Sequence, residues 1–285
     1  MTHRERLKPY EIPGEVLRNI FLVSICLLFV VPFYVAIVNV FKIREDIIRT
    51  PMAIPWGRLT LDNLARNLHS RSFNVWIGYG TSVVLSTLTV ILVILTSTMM
   101  SYVICRKKHR FFRFAYILLI AGLMIPAPVI LLPIVQVLRR LHLMFTVQGL
   151  LLMNVGWYMP FAAFVFVGYM RTISPQFDES ARMDGAGDVR VFFRIIFPLI
   201  GPAIASVVIF VSLWTWNDFV GPLIILGSSD YYTITIGVYK AIGQFVQKWE
   251  DVFAVVFLAI LPVIVFFLFM QRQFISGLTS GALKG

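Results

Sequence analysis

Charge is scarce in this 285-residue chain: Asp, Glu, Lys and Arg make up 14% of it, against 59% hydrophobic residues. Soluble domains run at about 45–50% apolar, so a water-soluble fold of this length would have too little polar surface to cover its core. That excludes a free-standing soluble domain and leaves lipid as the expected solvent, in keeping with a mean hydropathy of +0.84. Cysteine is nearly absent. Cys26 lies inside one apolar run and Cys105 ends another, with no CxxC pair, so no disulfide framework is indicated. His3, His69, His109 and His142 are scattered without the spacing of metal ligands, and no metal site is expected. Also missing are a Gly-x-x-x-x-Gly-Lys-Ser/Thr phosphate loop, paired carboxylates, and a nucleophile beside a base. The chain is therefore not expected to bind ATP itself or to be an enzyme.

What is present is long apolar sequence. A spanning helix needs about 20 mostly apolar residues to cross a hydrocarbon core of about 30 Å. Six segments qualify: Ile20–Phe41, Val75–Cys105, Phe112–Val135, Val147–Met170, Ala203–Leu226 and Val252–Met270. The expected fold class is an all-α polytopic membrane protein of six transmembrane helices, a single permease domain over 1–285. The first segment is long and no small-residue cleavage site follows it, so it is expected to stay in the mature protein rather than act as a signal peptide.

The net charge of +11 is spread among the apolar runs rather than gathered on one face, which suits loop anchors at an anionic membrane surface better than a nucleic-acid partner. With the N-terminus in the cytoplasm, the inside segments collect fifteen of the 25 basic residues, chiefly through the compact run Arg106, Lys107, Lys108, Arg110 and Arg113. Both termini are then cytoplasmic.

Prolines fall inside several spans: Pro126, Pro128 and Pro133 in the third, Pro160 in the fourth, Pro222 in the fifth. Each removes a backbone donor, and broken helices survive in lipid where neighbours or a cavity satisfy the freed carbonyls. Kinked spans fit a translocation path, although membrane helices carry extra proline in general. Asp218, in the run Trp216, Asn217, Asp218, has two readings. Either it lies deep in the fifth span and faces a polar cavity or partner helix, or it sits near the outer interface with Trp214 and Trp216 as belt residues.

The segment 172–202 has its own local logic. Ser174 is placed to cap a helix with Pro175 as its first residue, Asp178 and Glu179 favour the positive end of its dipole, and Gly185 and Gly187 end it. Asp188 can cap a second helix whose apolar stripe runs Val189, Phe192, Phe193, Ile196, Phe197 until Pro198, with Arg190 and Arg194 off the stripe. Taken alone, this is either a cytoplasmic docking element or a helix lying on the headgroups.

The run Glu179-Ser-Ala-Arg-Met-Asp-Gly-Ala-Gly187, followed by Phe192 and Pro198, closely resembles the Glu-Ala-Ala loop of bacterial binding-protein-dependent ABC permeases. Glu179, Ala181, Asp184, Gly185 and Ala186 match that motif, and Ser180 replaces the usual alanine with another small residue. Leu61-Asp-Asn-Leu64, Trp216-Asn-Asp-Phe219 and the glycine-rich ending around Gly281, Lys284 and Gly285 extend the likeness to the MalG-type permease subunits of carbohydrate importers. The resemblance implies a type I ABC importer permease fold, with 172–202 as a coupling loop docking on an ATPase. It further implies a cytoplasmic tail, 272–285, inserted between two ATPase subunits. The partners it implies are a second homologous permease, two ABC ATPases and an extracytoplasmic solute-binding protein; ATP and Mg are used by the ATPases and no cofactor is bound by this chain. Tyr231, Tyr232 and Tyr239 fall in the outside stretch 228–249, which reads either as a contact for the binding protein or sugar or as an interfacial segment. The rival class, an ion-gradient-driven secondary transporter, should show several intramembrane ionisable residues and inverted repeats. Only Asp218 qualifies and no repeat is visible.

Overall fold

The computed structural model describes residues 12–69, 74–107, 109–244 and 248–282. Among them every regular element is helical. The chain divides into two compact units, 1–70 with 241–258, and 71–240 with 259–285.

In the first unit, α1 (Ile12–Val40) is an apolar rod whose side chains are mostly exposed until its buried last two residues, Asn39 and Val40, as expected of a lipid-facing span. After it, α2 (Arg44–Arg49) and α3 (Asp62–Leu68) fold a short polar cap. Polar side chains tie its backbone together. The fully buried Lys42 donates its ammonium to the carbonyls of Thr50 (2.7 Å) and Pro51 (3.2 Å). Asn63 donates to the carbonyls of Val40 (2.9 Å) and Lys42 (2.8 Å). Asp251 is buried and accepts from Arg66 Nε and Asn67 Nδ2, both at 2.9 Å. Irregular backbone needs such partners wherever water is excluded.

The second unit is built on α4 (Val75–Arg106), α5 (Arg110–Gly122), α6 (Ala127–Arg140) and α7 (Val147–Met170). Then come α8 (Gln176–Met183), α9 (Asp188–Val191), a π turn (Phe192–Ile196), α10 (Phe197–Leu199), α11 (Gly201–Asn217), α12 (Val220–Ile225) and α13 (Ile234–Gln244). The last helix is α14 (Trp249–Ala282), whose residues 249–258 belong to the first unit. Helices α4, α7 and α11 pack on one another at its centre. The buried face of α4 carries Thr89, Ser97, Thr98 and Ser101, small side chains that let backbones approach closely where apolar burial alone gives no drive between helices.

Among the described residues, four single helices are long and apolar enough to cross a membrane, and a fifth span exists if Asp188–Leu199 and Gly201–Asn217, bent by 74°, count as one. The expected third and fifth spans are each interrupted, as their prolines suggested for a kink. Phe112–Val135 is split between α5 and α6, because Pro126 caps the second helix and has no N–H to continue the first. At 13 and 14 residues, each piece is about 20 Å long, so neither crosses the membrane alone. Ala203–Leu226 is interrupted at Asp218, where α11 ends and α12 begins. A Cβ at Gly221, beside that break, would come within 2.6 Å of the Met153 methyl group, so the end of that flexible side chain would have to give way.

Candidate functional site

The segment 172–202 folds largely as its local chemistry dictates. Ser174 Oγ accepts from Gln176 N (3.3 Å), and α8 starts at Gln176, one residue later than expected, with Pro175 as the cap. Asp184 closes the helix, and Gly185 reverses the chain at φ +80°, a conformation natural to glycine. Arg182 fastens the turn from across it, its Nη2 2.9 Å and its Nε 3.2 Å from Asp188 Oδ1.

Beyond the turn the expected apolar stripe is altered. A π turn follows α9 and adds a residue's worth of rotation; Val191, Phe192 and Ile196 are the buried positions. Val189 is 72% exposed and Phe193 44% exposed, so of the stripe's two adjacent phenylalanines Phe192 is the buried one. Its ring lies 5.4 Å from that of Tyr102 on α4 and 6.0 Å from that of Phe197. Glu179 and Ser180 are exposed, Ala181 is buried against the core, Asp184 and Gly185 are exposed, Ala186 is half-buried and Pro198 is exposed. The outer face thus offers Glu179 with bare apolar side chains at Phe177, Met183 and Val189. A shallow hollow of about 540 Å³ lies among Gly185, Gly187, Val189, Arg190 and Arg194.

On the inner side sits a group that sequence reasoning missed. Asp178, expected only to favour the helix dipole, is 2% exposed. Its Oδ2 is 2.9 Å from Arg106 Nη2 at the end of α4, and its Oδ1 accepts from the Tyr102 hydroxyl at 2.9 Å. The Arg106 guanidinium also reaches the Ile173 carbonyl, at 3.4 Å from both terminal nitrogens. No local pattern announces a pair 72 positions apart.

The candidate pathway residues part company. Trp216 lines an apolar hollow of about 370 Å³ between α4, α11 and α14, facing Ser86, Val90, Ser212 and Phe266. Asn217 donates to Leu213 O (2.8 Å) and is exposed. Asp218 is half-buried and turns back to cap α12, accepting from Gly221 N at 3.3 Å, and is not among the residues lining that hollow.

Nor do the three tyrosines converge. Tyr231 is exposed and lines a second hollow of about 670 Å³ with Phe145, Gln148, Ser229 and Asp230. Tyr232 bonds both backbone groups of Asn74, accepting from its N–H (2.9 Å) and donating to its carbonyl (3.0 Å), while the Lys240 ammonium sits 4.6 Å from its ring centre. Burial pushes the Tyr232 phenol up, against the Asn74 hydrogen bonding. Tyr239 packs edge-on against Phe219 at 5.2 Å. Gly281 lies in the last turn of α14, whereas Lys284 and Gly285 lie outside the described residues.

The geometry is thus that of helices carrying a glycine-turned loop between α7 and α11. Residues 97–279 match the family described as the binding-protein-dependent transport system inner membrane component, and the chain belongs to that family. It is the transmembrane permease subunit of an ATP-binding-cassette importer, a multi-pass inner-membrane protein that works with ATPase and solute-binding partners; separate subunits hydrolyse the ATP. Similar proteins include the arabinooligosaccharides transport system permease AraQ of Halalkalibacterium halodurans, 33% identical over 80% of this chain and 80% of that one. The multiple sugar-binding transport system permease MsmG of Streptococcus mutans is 32% identical over 90% of this chain and 93% of that one. Among solved structures, a bacterial ABC transporter involved in importing the acidic polysaccharide alginate superposes with a TM-score of 0.83 over 94% of this chain and 98% of the other, at 19% identity. That likeness speaks for the fold. Nothing in these relatives supports the ion-gradient alternative.

Proposed function

We propose that this permease forms half of a translocation path for a carbohydrate: an oligosaccharide, a disaccharide, or a related polyol or sugar phosphate. The observation that carries this is the run of relatives, 25–33% identical over most of their length, whose names specify arabinooligosaccharides, multiple sugars, starch degradation products and melibiose, raffinose and stachyose. Its partners are a second homologous permease, two ABC ATPases that hold ATP and Mg, and an extracytoplasmic binding protein that delivers the sugar. No cofactor is assigned to this chain. Uptake of labelled arabinooligosaccharides, raffinose and maltodextrins by the whole complex in liposomes tests the substrate class. At least one of these sugars is expected to accumulate in an ATP-dependent way; transport of amino acids or peptides in its place would remove the carbohydrate reading.

Coupling is assigned to the loop 172–202, through Glu179, Ser180, Ala181, Asp184, Gly185, Ala186, Phe192 and Pro198. Glu179 supplies the charged contact to the ATPase, Gly185 the turn, and Phe192 the anchor to the bundle. Gly281, Lys284 and Gly285 of the tail are assigned to the ATPase interface by the family resemblance. Tyr231 and Tyr239, both exposed, are the better placed of the three tyrosines to meet a binding protein. Trp216 is the pathway residue that borders a hollow. With the loop on the ATPase side, both termini and the basic run Arg106–Arg113 are cytoplasmic, in line with the bias of basic residues to inside loops. A single cysteine placed at Met183 should then react with an impermeant thiol reagent only from the side that receives ATP; labelling from the opposite face would invert the topology.

A further inference from the structure

We propose that Asp178 is a positioning residue that locks the coupling helix to α4, so that the ATPase stroke reaches the translocation path through α4 and not only along the chain through α7 and α11. The inference rests on the reading of 172–202 as the coupling loop.

The geometry is that of a clamp. One guanidinium, Arg106, stands 2.9 Å from the Asp178 carboxylate and also reaches the Ile173 carbonyl, so it ties the end of α4 to α8 and to the connector leaving α7. The second carboxylate oxygen takes the Tyr102 hydroxyl, one turn back along α4. The ion pair is nearly closed to solvent, with side-chain exposures of 11% and 2%. Such a pair adds little net stability over apolar packing, yet it fixes geometry strictly, because parting the partners strands a charge away from water. Beside it the Tyr102 and Phe192 rings meet, so α4 grips both arms of the loop.

What α4 does with the motion follows from its own sequence. Of the four single helices long enough to cross the membrane among the described residues, α4 is the one with no proline inside; α1 carries Pro32, α7 Pro160 and α14 Pro262. Its 32 residues make an unbroken rod about 48 Å long. The route through α11 bends by 74° before that helix begins. A displacement at a proline-free rod arrives at its far end undiminished, whereas a kinked or jointed helix absorbs part of it. Val83, Ser86 and Val90 of α4 wall the hollow that contains Trp216, and Gly80, Thr81 and Val84 wall the hollow that contains Tyr231. A push on Asp178 therefore moves the lining of both.

The test uses the complete complex in liposomes, with Cys26 and Cys105 replaced by serine, and the pair Arg106→Cys and Asp178→Cys. Sugar imported per ATP hydrolysed is measured before and after the two thiols are bridged by a short bifunctional reagent. With the clamp open, the ratio is expected to fall roughly tenfold at equal complex abundance and to recover on bridging. A folding defect is not repaired by a tether added after assembly, so recovery separates positioning from mere stability. Tyr102→Phe, which keeps the ion pair and loses one hydroxyl, is expected to lower the ratio roughly twofold and serves if the cysteine pair does not assemble. An unchanged ratio in the open pair, or a low ratio that bridging leaves low, overturns the proposal. Glu179→Lys in the same liposomes separates the two readings: if it too leaves coupling intact, the loop assignment fails, and if it alone uncouples, only the clamp does.

Discussion

Glu179→Lys should abolish binding-protein-stimulated ATP hydrolysis and sugar uptake together, each by about a hundredfold or more, while the complex still assembles. Glu179 is exposed on α8 and enters no ion pair among the described residues, so replacing it leaves the permease's own packing alone. Surface changes of this kind cost a folded chain no more than about 0.5 kcal/mol. At a docked interface the effect is of another order, because a reversed charge facing its former partner costs several kcal/mol. The measurement is paired uptake and phosphate release from the reconstituted complex. Loss of uptake with ATP hydrolysis still responding to the binding protein would move the coupling contact away from Glu179.

Phe192→Ala should leave a docked but slack lever. Truncating a buried phenylalanine typically costs about 3–5 kcal/mol, and here the loss falls where the π turn joins α9 to α10 and where Phe192 meets Tyr102. ATP hydrolysis is expected to continue while sugar imported per ATP falls at least about tenfold, a loss within reach of that local destabilisation. Phe193→Ala provides the contrast. Phe193 is 44% exposed, so its truncation should change the ratio less than about twofold if its role is peripheral packing. Equal effects from the two substitutions would show that the stripe inferred from helical periodicity, and not the π turn, describes this segment.

Much of the architecture was legible because it is written locally. Apolar runs such as Val75–Cys105 and Val147–Met170 marked their helices closely, and Ser174, Pro175, Gly185 and Gly187 place a helix and a turn by conformational preference alone. Three things were not local. Proline content pointed to kinks in the third span, but whether Pro126 bends a helix or ends it depends on what packs against the freed carbonyls. The stripe over Val189–Phe197 assumed 3.6 residues per turn throughout, and a single π turn rotates every later side chain. The pairing of Arg106 with Asp178 joins segments that only the fold brings together. Nor does the sequence show that the carboxylate of Asp218, the one acid it placed inside a span, accepts from Gly221 N at the start of α12.

The coupling assignment stands or falls on what the exposed face of α8 touches in the assembled transporter. Met183 is 83% exposed beside Glu179 and the glycine turn, so it is the position from which to ask. A photoactivatable cross-linker carried by a cysteine at 183, in the complete complex, should capture an ATPase subunit in high yield, with an efficiency that changes when ATP is bound. Capture of lipid alone, with the ATPase untouched in every nucleotide state, would mean that this helix lies on the membrane surface and that ATP is coupled to transport elsewhere.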